Sequence, residues 1–372
     1  MTKPQLTPLA QSLPATVPFV GPESQERQRG KPFLARVGAN ESPFGPSPKA
    51  IQAMQMAAAE EVWMYGDPES HDLRQALAIH HQVPMDNIII GEGIDGLLGL
   101  LVRLYVGPGD AVVTSAGAYP TFNYHVAGFG GQVHAVPYTD DHEDPVALVE
   151  KAIATGAKLV YIANPDNPMG SWHNAAVMTQ MVAAIPADCL LIIDEAYIEL
   201  APAGTAPPFD LSSPNVIRLR TFSKAYGMAG ARVGYGIAAA EVIAGFHRVR
   251  NHFGMSRISV AGAIAALEDD FWLSHVGAEV AVAKQAIVQA VEANGLTALP
   301  SATNFVTIDC GRDGAFAKAV LAELIDAGIF ARMPFVAPQD RCIRVSCGKP
   351  SAMTAFAGAL PRALSRAHEK LG

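Results

Sequence analysis

The chain has 372 residues, half of them hydrophobic, 17% charged, with a formal net charge of -8. That length accommodates two domains and a core that needs no disulfide or metal staple, and the apolar content excludes intrinsic disorder. The acidic balance leaves no basic footprint for nucleic acid, and Cys189, Cys310, Cys342 and Cys347 form neither a CxxC motif nor a disulfide framework, which points to reduced thiols in a cytoplasmic protein.

Residues 1–32 read as an extended arm in which Pro18, Pro22 and Pro32 exclude a helix, and no apolar run there suits a signal peptide. Nowhere do 18 apolar residues follow one another, so no membrane span is expected. Helical patterns run from residue 49 and over 69–82. Short apolar β-runs then alternate with helical stretches. The runs fall at 87–90, 111–114, 158–162, 189–193, 216–219 and 233–237, with helices at 95–105, 121–128, 145–154 and 174–184. Apolar strands separated by helices predict a parallel-rich sheet covered on both faces. After residue 250 a long helical stretch (259–294, broken near 270) precedes a strand at 304–309 and a helix at 314–327. A strand at 341–346 and a helix at 350–370 complete the chain. The expected fold is α/β. It has a three-layer αβα large domain with a mostly parallel sheet (41–249), a smaller α+β domain (250–372), and an N-terminal arm (1–40) packing with the small domain.

Residues 91–96 read GEGIDG, a literal GxGxxG between a strand and a helix, with Asp110 nineteen residues after Gly91. A dinucleotide fingerprint needs that acid at the end of the second strand, whereas Asp110 precedes the strand AVVT. What remains is a phosphate cradle formed by the amides of Ile94, Asp95 and Gly96 at a helix N-terminus. The eleven histidines show neither HxH nor HExxH spacing, so no metal site is expected.

The segment 220–237, RTFSKAYGMAGARVGYGI, carries the most chemistry. Lys224 follows an apolar strand, flanked by the hydroxyls of Thr221 and Ser223, with Arg232 eight residues on. Hydroxyls, a guanidinium and helix amides hold a dianionic phosphate, and a lysine beside them can form an imine with an aldehyde tethered by it. Asp194 ends the apolar strand of IIDEAYIEL, where a carboxylate is costly unless it meets a cation such as a protonated pyridine nitrogen; Tyr197 follows three residues on. The turn NPDNPMG (164–170) aims Asn167 at the same place. Asn167, Asp194, Lys224 and Arg232 thus follow one another at intervals of 27, 30 and 8 residues. The first three close predicted parallel strands, where open α/β sheets bind ligands.

Almost the whole chain resembles the fold-type I, pyridoxal-phosphate-dependent aminotransferases, in particular the histidinol-phosphate aminotransferase branch. The resemblance extends to GANESPFGPSPKA (38–50), YGDPESHDLRQALA (65–78), YPTF (119–122), SATNFVTID (301–309) and CIRVSCG (342–348). It implies that Lys224 is the imine lysine and proton shuttle, that Asp194 holds the ring nitrogen protonated, and that Asn167 and Tyr197 bind the ring hydroxyl. Phe122 would stack on the ring with Tyr119 near it. Thr221, Ser223, Arg232 and the 94–96 amides would hold the phosphate. Tyr65 would reach the partner subunit's cofactor, implying a homodimer. Asn40, Arg332 and Arg344 would bind substrate. Two positions depart from the family pattern: Gly96 lacks a side chain, and the arm carries Phe19 where a tyrosine is usual.

The activity the resemblance implies is ping-pong transfer from L-histidinol phosphate to 2-oxoglutarate, giving imidazole acetol phosphate and glutamate. Alternatives within the same chemistry are an aromatic or other amino-acid aminotransferase and a phosphothreonine-type decarboxylase. An aminotransferase-like sensing domain would carry a helix-turn-helix appendage, for which the Pro-rich first 48 residues leave no room.

Overall fold

The computed structural model describes residues 3–15 and 19–371. Its centre is a seven-stranded sheet. In spatial order the strands are Ile88–Gly91, Gly234–Ala238, Val216–Thr221, Leu190–Asp194, Leu159–Ala163, Ala111–Ser115 and Gln132–Val136. Only Gly234–Ala238 runs against its neighbours, and the pairs on the other side are all parallel. The middle strands are buried along their full length, as expected for a sheet with helices on both faces. One apolar cluster lies under helix Gly93–Tyr105 and a second under helix Pro145–Thr155, on opposite faces of the sheet.

The sequence anticipates six of these seven strands. The seventh, Gln132–Val136, sits at the sheet edge with only Val136 buried, so its residues lack the continuous apolar run that marks the others. The arm also differs from expectation. Helices form at Pro8–Ser12 and Pro22–Arg29. Pro22 does not exclude a helix; it starts one, because at the first helical position its missing N–H has no partner to lose. Pro18 lies outside the described residues.

A second core gathers helices Asp270–Glu292, Gly314–Asp326 and Pro350–Leu371 on the antiparallel strands Phe305–Asp309 and Cys342–Ser346. Ala35 and Val37 contribute to this core, and strand Ala35–Arg36 pairs with Ile329–Phe330. Helix Arg257–Leu267 packs instead with Pro48–Glu60 and helix His71–His81, in the cluster beside the outer strand of the large sheet. No helix among the described residues is long and apolar enough to cross a membrane.

Candidate active site

Sheet register brings the predicted residues together. Gly91, Gly234 and Thr221 lie in one row across three strands, and Ala163, Asp194 and Leu219 in another. Because Gly234–Ala238 is reversed, its first residues stand beside the carboxyl ends of its neighbours, which returns Arg232 to the same edge as Thr221 and the start of helix Gly93–Tyr105. A cavity of about 470 Å³ opens there, bordered by Asn40, Ile94, Asp95, Tyr119, Asn167, Asp194, Tyr197, Thr221, Ser223, Lys224, Arg232, Arg332 and Arg344.

One end of the cavity is built for an anion. Glu92 precedes the helix without capping it by its side chain, so the first-turn amides keep free donors. Arg232, in the left-handed region at φ 56°, donates to Ser223 Oγ at 3.4 Å, to the Ala229 carbonyl at 3.0 Å and to the Glu92 carbonyl at 3.3 Å. It has no carboxylate partner among the described residues. The Ser223 amide donates to Thr221 Oγ1 at 3.1 Å, fixing the two hydroxyls beside the guanidinium. Gly93 has φ +76°, and a methyl there would overlap Arg232 Nη2. Gly234 is equally constrained, since a Cβ would stand 2.7 Å from the Gly93 carbonyl carbon. Gly96 lies further along the first turn and does not border the cavity.

At the other end lie a base and an acid. Lys224 Nζ donates to the Asn40 carbonyl at 3.2 Å, and burial, aided by the nearby Arg344 charge, lowers its pKa to about 8. Asp194 is buried and accepts from the Tyr161 hydroxyl at 2.8 Å and the Ala196 amide at 3.0 Å. Burial pushes Asp194 up to about 6 against the pull of those two donors. Tyr161, hidden within an apolar strand, is a site residue the sequence reading missed.

Arg344 donates to Asn167 Oδ1 and, at 3.0 Å, to the Gly38 carbonyl, while its Nε is buried without a partner. Its strand neighbour across an isolated bridge is Arg332, which donates to the Val20 carbonyl at 2.6 Å. Neither arginine pairs with a carboxylate among the described residues. Asn40, at φ 56°, bridges the two cores: its Nδ2 donates to the Tyr197 hydroxyl at 3.0 Å and its Oδ1 accepts from the Ser346 hydroxyl at 2.8 Å. Its side chain, expected on substrate, is largely committed to protein.

Two aromatics differ from expectation. Phe122 does not border the cavity; it is fully buried and stacks on Tyr161 at 4.8 Å. Helix Thr121–Gly128 turns Phe122 toward the sheet, which leaves Tyr119, just before the helix, on the cavity wall. Phe19 lines the cavity from the arm, its ring 6.5 Å from that of Tyr119. Tyr65 does not border its own chain's cavity and is 80% exposed.

Arg232 and the buried Asp194, neither in an ion pair among the described residues, match with the helix amides and a lysine of lowered pKa the phosphate, ring nitrogen and aldehyde of one cofactor. The class of protein this defines is the pyridoxal-phosphate-dependent transaminase. The chain belongs to the family of class I and II aminotransferases, whose model matches residues 34–360. It is 32% identical over 98% of its length to a histidinol-phosphate aminotransferase of Moorella thermoacetica, covering 94% of that protein. It is 35% identical to histidinol-phosphate aminotransferase 2 of Pseudomonas fluorescens, over 90% of each chain. The crystal structure of histidinol-phosphate aminotransferase from Sinorhizobium meliloti in complex with pyridoxal 5'-phosphate matches with a TM-score of 0.94 and 52% identity, covering 98% of both chains. The cofactor of the present chain is pyridoxal phosphate.

Proposed function

We propose that the protein transfers the amino group of L-histidinol phosphate to 2-oxoglutarate by a ping-pong mechanism. The observation that carries this reading is the Arg332–Arg344 pair, two cross-strand guanidiniums on the cavity wall with no carboxylate of their own among the described residues. Such a pair suits bidentate grip on a donor's distal phosphate or an acceptor's carboxylate. The likeness to relatives bearing that substrate in their names supports the same donor.

When bound, pyridoxal phosphate supplies an aldehyde that condenses with amines and a protonated ring that accepts the electron pair left at Cα. Thr221, Ser223, Arg232 and the amides of Ile94 and Asp95 would hold its phosphate, and Tyr119 would lie against its ring. Asp194 keeps the ring nitrogen protonated. Asn167 would be left its Nδ2 to give to the ring hydroxyl, because Arg344 occupies its Oδ1. Tyr197 likewise has its own hydroxyl proton to give, since it accepts from Asn40. Lys224 Nζ takes the Cα proton of the donor, and a pKa of about 8 keeps part of it neutral near physiological pH.

We infer a homodimer in which Tyr65 completes the partner's phosphate site. Tyr65 is exposed with its ring 5.2 Å from that of the exposed Phe253, an apolar pair suited to a subunit contact. A cytoplasmic setting fits the four buried free cysteines. We also propose an arm, a large unit and a small unit, with the second boundary near residue 270, where packing passes from one core to the other. The substrate reading is tested by kcat/KM for histidinol phosphate against phenylalanine, tyrosine and phosphothreonine. Preference for histidinol phosphate by about tenfold or more is expected, a difference of about 1.4 kcal/mol in transition-state binding. A similar preference for an unphosphorylated aromatic amino acid would leave the transaminase intact and overturn the donor.

A further inference from the structure

Two acids that the transfer reaction does not use lie behind the Asn167 turn. Glu143, before helix Pro145–Thr155, and Asp166, within the turn, are 1% and 2% exposed. Neither takes part in an ion pair among the described residues. Glu143 meets the Ser115 hydroxyl at 2.5 Å and accepts from the Ala163 amide at 2.8 Å. Asp166 accepts from the Tyr138 hydroxyl at 2.9 Å and the Met169 amide at 2.8 Å. The two carboxyl groups are near enough for each to shift the ionisation of the other. Neutral donors cannot offset two adjacent negative charges away from water, so one acid keeps its proton.

We propose that Glu143 and Asp166 share one proton as a carboxylic acid–carboxylate pair, and that this pair is a positioning element holding Asn167, and through it Arg344, against the cavity. Glu143 is the acid and Asp166 the carboxylate: each accepts from two neutral donors, but burial raises Glu143 the further of the two. The same segment grips the turn elsewhere: Ser171 Oγ donates to the Asp141 carbonyl at 3.0 Å, and His173 Nε2 meets the Glu143 carbonyl at 2.7 Å. Asp141 is paired in turn with Arg341 at 2.6 Å.

The titratable surroundings supply no competing cation behind the turn. Tyr138 and Tyr161 are pushed up by burial and stay neutral, and burial lowers His173. His142 and Asp144 flank Glu143 in sequence, with the Asp144 carboxylate capping its helix. Arg344, on the cavity side, bonds Asn167 rather than Asp166. Burial drives Glu143 well above the usual carboxylate range and Asp166 up to about 6.

Two measurements test the proposal, and the first uses cofactor-free protein so that it is independent of the substrate reading. Glu143→Gln places an amide where the acid stands, able to donate to Asp166 and accept from Ala163. Above the unfolded carboxylate value of about 4.3, native Glu143 keeps a proton that the unfolded chain has lost, so rising pH favours unfolding of the wild type. From about pH 5 to 7 the unfolding constant of the wild type should rise, relative to that of Glu143→Gln, by about tenfold per pH unit. Equal pH slopes would overturn proton sharing. The second measurement rests on reading Arg344 as a substrate ligand. Glu143→Ala should raise the donor KM at least about fivefold with a smaller effect on kcat, while Glu143→Gln stays within about twofold of wild type. If Glu143→Ala does not fold, Tyr138→Phe, which removes only a donor to Asp166, should raise KM in the same sense. Unchanged KM in the folded variant, or failure of Glu143→Gln to rescue it, would overturn the positioning role.

Discussion

Arg344→Ala perturbs two things at once, and each has a separate signature. The guanidinium donates to Asn167 Oδ1 and the Gly38 carbonyl and lies 5.2 Å from the centre of the Phe305 ring. If Arg344 grips the substrate anion as proposed, removing it deletes a charge-assisted contact worth ~1.5–3 kcal/mol, roughly ten- to hundredfold in donor KM. It also removes the positive charge that helps depress Lys224, whose pKa should rise from about 8. Lys224 must be neutral to attack an aldehyde, so capture of pyridoxal phosphate by cofactor-free protein should accelerate with pH up to a midpoint near about 8 in the wild type. In Arg344→Ala that midpoint moves to higher pH. Arg344→Lys separates the two effects, since an ammonium keeps the charge but cannot make two parallel contacts. Its midpoint should stay near the wild-type value while KM remains raised. The assays are steady-state kinetics with the preferred donor and stopped-flow absorbance across pH. An Arg344→Ala protein with KM within about twofold of wild type and an unmoved midpoint would refute both roles.

Asp194→Asn should cost at least ~100-fold in kcat, about 3 kcal/mol of barrier, because the amide cannot hold the ring nitrogen protonated. Its cofactor-free thermal stability should not fall, since a buried acid without a cation is replaced by a neutral group of the same shape; near-normal turnover would mark Asp194 as structural. Gly93→Ala forces a methyl into Arg232 at a φ of +76°, so the dissociation constant for pyridoxal phosphate should rise about tenfold or more, read by equilibrium titration. Mixing inactive Lys224→Ala and Tyr65→Ala proteins should restore activity in hybrids, where one site keeps both residues; no recovery after verified subunit exchange would exclude action of Tyr65 in trans.

Most of the site was readable because its parts end buried strands. Asp194, Asn167 and Lys224 each follow an apolar run, and a polar group just past such a run marks the ligand-binding edge of an open sheet. Arg232 was readable only by its spacing from Lys224; its place depends on the reversal of Gly234–Ala238, which the sequence does not announce. Phe122 was expected at the cavity because it and Tyr119 are aromatics three residues apart; the turn into helix Thr121–Gly128 buries Phe122 and leaves Tyr119 on the cavity wall. Tyr161 was hidden by its apolar neighbours, although a hydroxyl in a fully buried strand needs a partner and could have been paired with Asp194 on that ground. Glu143 stands in the acidic run YTDDHED, which looks like solvated surface; nothing in its own segment signals that it turns inward and is buried. The helix at Pro22–Arg29 was misread because proline stops a helix interior but starts a first turn.

The claim on which everything else rests is that the cofactor is held at Lys224, where the anion cradle and the Asp194 acid meet. Borohydride reduction of the holoenzyme followed by peptide mapping tests it directly. A single pyridoxyl modification is expected on the peptide containing Ser223 and Lys224, and its loss in Lys224→Ala. Modification of Lys158 or Lys349 in place of Lys224 would contradict it.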